Sequence, residues 1–225
     1  MPRTLAIGDI HGCLSAFDAL LAEVSPQEGD TVVLLGDLVD RGPDTRGVID
    51  RAIALGERCE VIAIMGNHEE MMLGAVTGRM SIGAWLGVGG RETLASYGGR
   101  TASIPPAHLR YLERMNSYHE GPGDLFVHAM VDPLVPMADQ TPESLRWHKI
   151  QGAEPPHRTG KRVVCGHTSQ KNGLPKVWEG WACIDTWPAG GEWLSCLDVE
   201  TNELVQANQA GETRRFSLSE QPASP

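Results

Sequence analysis

Three short strings concentrate the chemistry of this chain: Gly8-Asp9-Ile10-His11-Gly12, Gly36-Asp37-Leu38-Val39-Asp40-Arg41-Gly42 and Gly66-Asn67-His68-Glu69, about thirty residues apart. Carboxylate, imidazole and amide groups in this mixture suit divalent first-row metal ions. Alternate side chains of an extended segment share a face, so Asp9 and His11 can grip one ion together. A carboxylate such as Asp37 has two oxygens and can bridge a pair of ions, whereas an amide or an imidazole normally serves one. Two more histidines, His128 and His167, follow the runs Leu125-Phe126-Val127 and Arg162-Val163-Val164-Cys165-Gly166. They bring the candidate ligands to six: Asp9, His11, Asp37, Asn67, His128 and His167.

These residues are scattered along the chain, and the elements between them explain how they can meet. Each string follows an apolar run short enough to be a buried parallel strand: Thr4-Leu5-Ala6-Ile7, Thr31-Val32-Val33-Leu34-Leu35 and Val61-Ile62-Ala63-Ile64-Met65. Helical spacing fills the gaps, with Leu14, Phe17, Leu20, Leu21 and Val24 in the first and Val48, Ile49, Ala52, Ile53 and Leu55 in the second. A strand-helix-strand unit takes roughly thirty residues. Parallel strands align their carboxyl ends along one edge of an open sheet, where ligands bind, so the spacing predicts a shared pocket.

The strings resemble the phosphoprotein phosphatase branch of the calcineurin-like metallophosphoesterases, most closely its compact bacterial and bacteriophage-lambda-type serine/threonine phosphatases. The resemblance covers roughly residues 4 to 200. It implies an α/β fold, a four-layer α/β/β/α metallophosphoesterase sandwich with two mixed sheets. It implies that Asp9 and His11 bind one ion, that Asp37 bridges, and that Asn67, His128 and His167 bind the other. By the same resemblance His68 is the general acid, Asp40 orients and charges it, and Arg41 holds phosphate oxygens in a fork that lysine cannot reproduce. Glu69 and the motif glycines are structural in this reading. Two divalent ions are implied, with manganese first and iron or zinc as alternatives, since mixed oxygen and imidazole donors do not choose among them.

The chain also departs from the family pattern. Ala129-Met130 follows His128 where a glycine is usual, Ser169 stands where a proline is common, and Val88 replaces a frequent asparagine in the family-like stretch from Trp85 to Gly98. Trp147-His148-Lys149 replaces a tryptophan followed two residues later by arginine, which leaves Arg146 or Lys149 as the second phosphate contact. In Cys183-Ile184-Asp185-Thr186-Trp187 the indole takes the place of a glycine and is expected to narrow the cleft.

The expected activity is phosphomonoester hydrolysis by direct attack of a metal-bridging hydroxide, with phosphoserine or phosphothreonine in proteins as the leading substrate. Two ions ~3.5–4 Å apart neutralise the phosphate and bring a bound water's pKa to about 7, so no covalent phosphoenzyme is needed. The alternative enzyme on the same core is a symmetrical dinucleoside (diadenosine) tetraphosphate hydrolase; Asp40, which such relatives can lack, places it second. A non-catalytic binding module is the alternative of another class, and the intact ligand set counts against it.

Composition sets the remaining limits. The 225 residues are 41% hydrophobic, enough for one α/β domain, expected over residues 1–208 with a polar tail over 209–225. A net charge of −10 without a basic stripe argues against nucleic acid, and the expected partner is a phosphoprotein or a small phosphorylated substrate. No apolar run approaches the ~20 residues of a membrane span, and the first strand begins at residue 4 without room for a signal peptide, so a cytoplasmic location is expected. Five cysteines, an odd number without zinc-like pairing, fit reduced and mostly buried thiols. His108, His119, His148 and His157 lack motif context and read as ordinary core or surface histidines. The proline-rich excursion from Gly121 to Gly160 reads equally as a lid or as a surface detour.

Overall fold

Alternation along single strands sorts the side chains into layers. The computed structural model describes residues 2–220. In β1 (Thr4–Ile7), Leu5 and Ile7 face one core while Ala6 faces another; β2 (Thr31–Leu34) divides in the same way, with Val32 and Leu34 against Val33. These strands and β3 (Glu60–Ala63) pair in parallel, Thr4 opposite Thr31 and Thr31 opposite Glu60. The crossovers are α1 (Leu14–Val24) and α2 (Thr45–Leu55). Their apolar stripes, including Phe17, Leu20, Val48 and Ile49, close over the outer face of the sheet.

After β3 the chain forms α3 (Asn67–Val76), the short α4 (Ile82–Trp85), α5 (Arg91–Ser96) and α6 (Pro106–Glu113), and their buried residues join the same outer core. A second sheet follows: β4 (Tyr118–Glu120), β5 (Asp124–Val127), β6 (Arg162–Cys165), β7 (Lys176–Trp178) and β8 (Trp181–Cys183), in the order β4-β5-β6-β8-β7. Strands β5, β6 and β8 run parallel to one another. Antiparallel β9 (Leu194–Asp198), β10 (Glu203–Ala207) and β11 (Thr213–Ser217) then complete the first sheet as β11-β10-β9-β1-β2-β3. Both sheets are therefore mixed, as the sandwich fold requires.

The sheets pack face to face through Ala6, Val33, Phe126, Val164, Ala182, Leu197 and Leu204. On the far side of the second sheet, Leu125, Val127, Val163, Cys165 and Trp181 are covered by Val131, Met137, Leu145 and Ile150. Those covering residues come from the Gly121–Gly160 excursion and its one helix, α7 (Pro142–Trp147). Most of the excursion is thus the fourth layer of the sandwich. Trp147, His148 and Lys149 are solvent-exposed, and the Trp147 carbonyl meets His167 beyond the end of β6.

The segment from Gln209 differs from the expected polar tail, because residues 213–217 pair along β10 as an edge strand. Its polarity has a local cause: the main chain is half-paired at the sheet edge, and Arg215 forms ion pairs with Glu23 and Glu203 rather than entering the core. The last five residues of that expected tail, 221–225, lie outside the described residues. Four of the five cysteines are buried, with Cys59 half-buried. His108 is also buried, bridging the Tyr97 hydroxyl at 2.8 Å and Asp50 at 2.9 Å. Among the described residues no helix is long and apolar enough to cross a membrane.

The two sheets approach each other closely at the motif edge. A Cβ on Gly8 would lie 2.5 Å from the Ile184 carbonyl oxygen that leaves β8, so this glycine sets the distance between layers. Gly8→Ala is expected to lower stability by about 1–3 kcal/mol through overpacking. Urea unfolding should show a lower midpoint at unchanged slope, and an unshifted midpoint would mean that the interface absorbs the methyl group.

Candidate metal centre

The first three strands deliver their motifs at their carboxyl ends, as the spacing predicted. Asp9 and His11 follow β1, Asp37 follows β2, and Asn67 and His68 open α3 just beyond β3. From the second sheet, His128 comes directly after β5 and His167 two residues after β6. Two clusters of donor atoms share Asp37: His11, Asp37 and His68 on one side, Asp37, His128 and His167 on the other, with Asn67 against the second; Asp9 belongs to neither, and His68, the expected acid, stands in the first.

Asp37 divides its two oxygens between the clusters. Its Oδ2 lies 3.4 Å from His11 Nε2, and its Oδ1 lies 3.4 Å from His128 Nε2. Asn67 Oδ1 stands 3.1 Å from both His128 Nε2 and His167 Nδ1, which brings four donors of the second cluster together. Asp9 reaches across between the sheets, its oxygens 3.1 and 3.2 Å from the His167 N–H.

Each candidate imidazole is fixed from behind by a main-chain carbonyl. His11 Nδ1 bonds Val39 O at 2.8 Å, His128 Nδ1 bonds Leu35 O at 2.9 Å, and His167 Nε2 bonds Trp147 O at 3.1 Å. A carbonyl can only accept, so the bonded nitrogen carries the proton and the other nitrogen presents its lone pair to the centre. Burial pushes His11 down to about 3, aided by Arg41, and pushes His167 down to about 4, aided by His128. Both are therefore neutral at neutral pH, the form that ligates metal. Burial opposes the charge of Asp37, but His128, His68 and His11 outweigh it and hold this carboxyl well below its usual range.

The loops that carry these groups are held in costly conformations. His11, Asp37, Asp40, Arg41 and His167 all have positive φ, between 46° and 71°. Non-glycine residues in such regions cost of order 1–3 kcal/mol each and need surrounding structure to hold them. Glu69 supplies much of that hold. Fully buried, it accepts the N–H groups of Leu38 at 2.7 Å, Asp37 and Gly66 at 2.9 Å, and Val39 at 3.3 Å. The structural reading of Glu69 thus gains a defined task, joining the second motif to the third.

His68 is oriented by a second buried set. Its Nδ1 lies 2.8 Å from Asp40 Oδ2. Asp40 in turn accepts from Trp85 Nε1 at 3.0 and 3.1 Å and from Thr93 Oγ1 at 2.8 Å. Sequence reasoning did not assign Trp85 and Thr93, although both lie in the stretch from Trp85 to Gly98 noted for its family likeness. Burial lowers the His68 pKa, but Asp37 and the hydrogen bond to Asp40 outweigh it and leave the pKa above its ordinary value. Arg41 spans the two halves of the cluster, Nη1 lying 2.8 Å from His11 Nε2 and Nη2 2.8 Å from His68 Nε2. Its backbone N–H bonds Gly89 O at 3.0 Å, so the same stretch also braces the arginine.

The two further cations stand apart from the ligand cluster. Arg146 points toward Glu70, at 3.6 Å, and Ser117. Lys149 is exposed and within electrostatic reach of His167. Trp187, in the place of a family glycine, adopts the left-handed conformation with φ 63°, which gives a reason for glycine there.

The family profile of calcineurin-like phosphoesterases matches residues 2–171, three quarters of the chain. The chain is a calcineurin-like phosphoesterase. Among curated relatives, the phosphoesterase is 36% identical over 136 residues to a symmetrical bis(5'-nucleosyl)-tetraphosphatase of Acidovorax sp., covering 56% of this chain and 43% of that one. It is 43% identical over 86 residues to serine/threonine-protein phosphatase 1 of Salmonella typhimurium, covering 37% of each. The matched segments thus span less than half the length of these relatives. A crystal structure provisionally described as a diadenosine tetraphosphatase superposes with a TM-score of 0.67 at 23% identity, over 96% of this chain and 95% of that one; this likeness shows the shared fold. The family uses a dinuclear metal site, and the paired donor clusters around Asp37 fit two ions in number and chemistry.

The division of Asp37 between the clusters yields a measurable asymmetry. Asp37→Asn should lower manganese content at both positions, whereas His167→Ala should empty mainly one. Elemental analysis of protein loaded with manganese and then desalted reads this directly. Equal loss in the two variants would contradict the bridging role.

Proposed function

We propose that this phosphoesterase hydrolyses dinucleoside tetraphosphates at a two-metal centre, cutting them symmetrically to two nucleoside diphosphates. The observation that carries this reading is the extent of similarity: 56% of the chain aligns with a symmetrical bis(5'-nucleosyl)-tetraphosphatase, against 37% with serine/threonine-protein phosphatase 1. The comparisons therefore reverse the order expected from sequence, where Asp40 favoured phosphomonoesters.

In this mechanism Asp9, His11 and Asp37 hold one ion, and Asp37, Asn67, His128 and His167 hold the other. Bound there, two divalent ions would neutralise phosphate oxygens and supply a nucleophile at neutral pH. Arg41 lies across the His11 and His68 ends of the cluster, where its planar fork can take two oxygens of the phosphate under attack. His68 presents Nε2 to the cleft because Asp40 occupies Nδ1. Nε2 here accepts from Arg41 Nη2, so it would carry a proton for the departing oxygen once a phosphate draws the guanidinium away, a charge that Asp37 and Asp40 favour against burial. Lys149 lies further out, exposed and within electrostatic reach of His167, suited to a second phosphate rather than to the reacting one, whereas Arg146 is turned toward Glu70 and Ser117.

One feature favours a second reading. A nucleoside diphosphate is a good leaving group and departs without a proton, whereas the alkoxide of serine or threonine needs one. The buried His68–Asp40 pair is built for the harder task, which supports phosphomonoesters, including phosphoserine and phosphothreonine in proteins, as the other substrate class.

A single comparison separates the two. With manganese present, kcat/KM is expected to be at least tenfold higher for diadenosine tetraphosphate than for a phosphopeptide, with only the diphosphate as product. His68→Asn should lower kcat by ~10²–10⁴ on an alkyl phosphate, the usual contribution of a positioned acid, and far less on the dinucleotide. A preference for the phosphopeptide would install the second reading, and loss of metal from the His68 variant would remove its role as acid.

A further inference from the structure

The parallel strands of the two sheets form six carboxyl ends at one edge, and five of them already carry a candidate ligand. Strands β1, β2 and β3 lead to Asp9 and His11, to Asp37, and to Asn67; β5 and β6 lead to His128 and His167. The sixth end, that of β8, leads to Asp185. It stands two residues beyond its strand, as His167 does beyond neighbouring β6, and the register pairs Cys165 with Cys183 directly before them.

Asp185 is 1% exposed. Its Oδ1 accepts the Trp187 N–H at 3.1 Å and the Ser169 hydroxyl also acts on the carboxylate, while Oδ2 is buried with no partner within hydrogen-bond distance. A buried carboxylate oxygen without a donor is costly unless something positive faces it. Asp185 lies beside the first motif, since the same close approach that requires Gly8 places a Cβ there 3.5 Å from the Asp185 nitrogen. Among charged groups it bears on Asp9 more strongly than Asp37 does. No lysine or arginine is among the groups acting most strongly on it.

We infer that Asp185 is the third carboxylate of the metal centre, its Oδ2 directed to the ion held by Asp9 and His11. This gives that ion a donor from the second sheet, as His128 and His167 give the other. Three carboxylates would also offset most of the charge of two divalent ions while leaving a positive remainder for a phosphate. The inference rests on the two-metal reading, and the test distinguishes failure of either.

Full-length protein stripped with a chelator would be titrated with manganese calorimetrically, and its metal-free thermal midpoint measured. Asp185→Asn can keep an acceptor for the Trp187 N–H while it removes the charge and turns the other oxygen into a donor NH2 that cannot ligate a cation. One of the two sites should weaken by ~10–100-fold, the range for groups that support a metal ligand, while the metal-free midpoint stays equal or rises because buried like charges are relieved. Unchanged affinity at both sites would overturn the assignment, as would equal weakening of both with a lower metal-free midpoint, the mark of a purely structural role. Wild-type protein that binds no manganese would overturn the two-metal reading itself. If the asparagine variant is insoluble, Asp185→Ser is read by the same criteria.

Discussion

The Glu69 carboxylate, buried between the second and third strand ends, is the interaction on which the site most depends. Four main-chain N–H groups from residues 37, 38, 39 and 66 meet on its two oxygens. That arrangement fixes the left-handed backbone at Asp37 and ties it to the start of α3, from which Asn67 and His68 project. The cost is a carboxylate in a dry place next to another. Burial and the charge of Asp37 push Glu69 up to about 7, so its clamp is fullest when neighbouring charge is balanced. Glu69 thus joins the loops that carry Asp37, Asn67 and His68.

A division of labour follows between the two sheets. The first presents the motifs in which several functional residues crowd into a few positions, and it needs bent, positive-φ loops to aim them. The second presents single residues, His128 directly off β5 and His167 two residues past β6 with positive φ of its own, while Phe126, Val164 and Ala182 pack the inner face. The first sheet carries the whole His11–Asp37–His68 cluster, whereas the other needs both sheets, Asp37 from the first and His128 and His167 from the second. The close contact at Gly8 and Ile184 is what brings the halves within ligand distance.

The fold and the gathering of most candidate ligands at one sheet edge were legible in the sequence to the extent that local rules determine them. Strands of the type Thr4-Leu5-Ala6-Ile7 announce themselves by apolar runs ending in polar motifs, and α1 and α2 by helical spacing. The polar β11 escaped because an edge strand need not be hydrophobic, and its pairing with β10 is not a local property. Trp85 and Thr93 were missed as supports for Asp40 because the contact spans 45 and 53 residues of chain and involves residue types common in any core. Substrate choice was least legible, since the motifs assemble candidate ligands and do not extend to exposed groups such as Lys149.

The anchoring of His11, His128 and His167 by the carbonyls of Val39, Leu35 and Trp147 has an evolutionary consequence. Every residue type offers the same carbonyl, so these supports survive almost any replacement of the side chain at positions 35, 39 and 147. The orientation of the imidazoles is inherited through the path of the backbone and not through the identity of the amino acids around them. A lineage built this way can drift far in its surroundings and acquire new substrates while the tautomers at its metal centre stay unchanged.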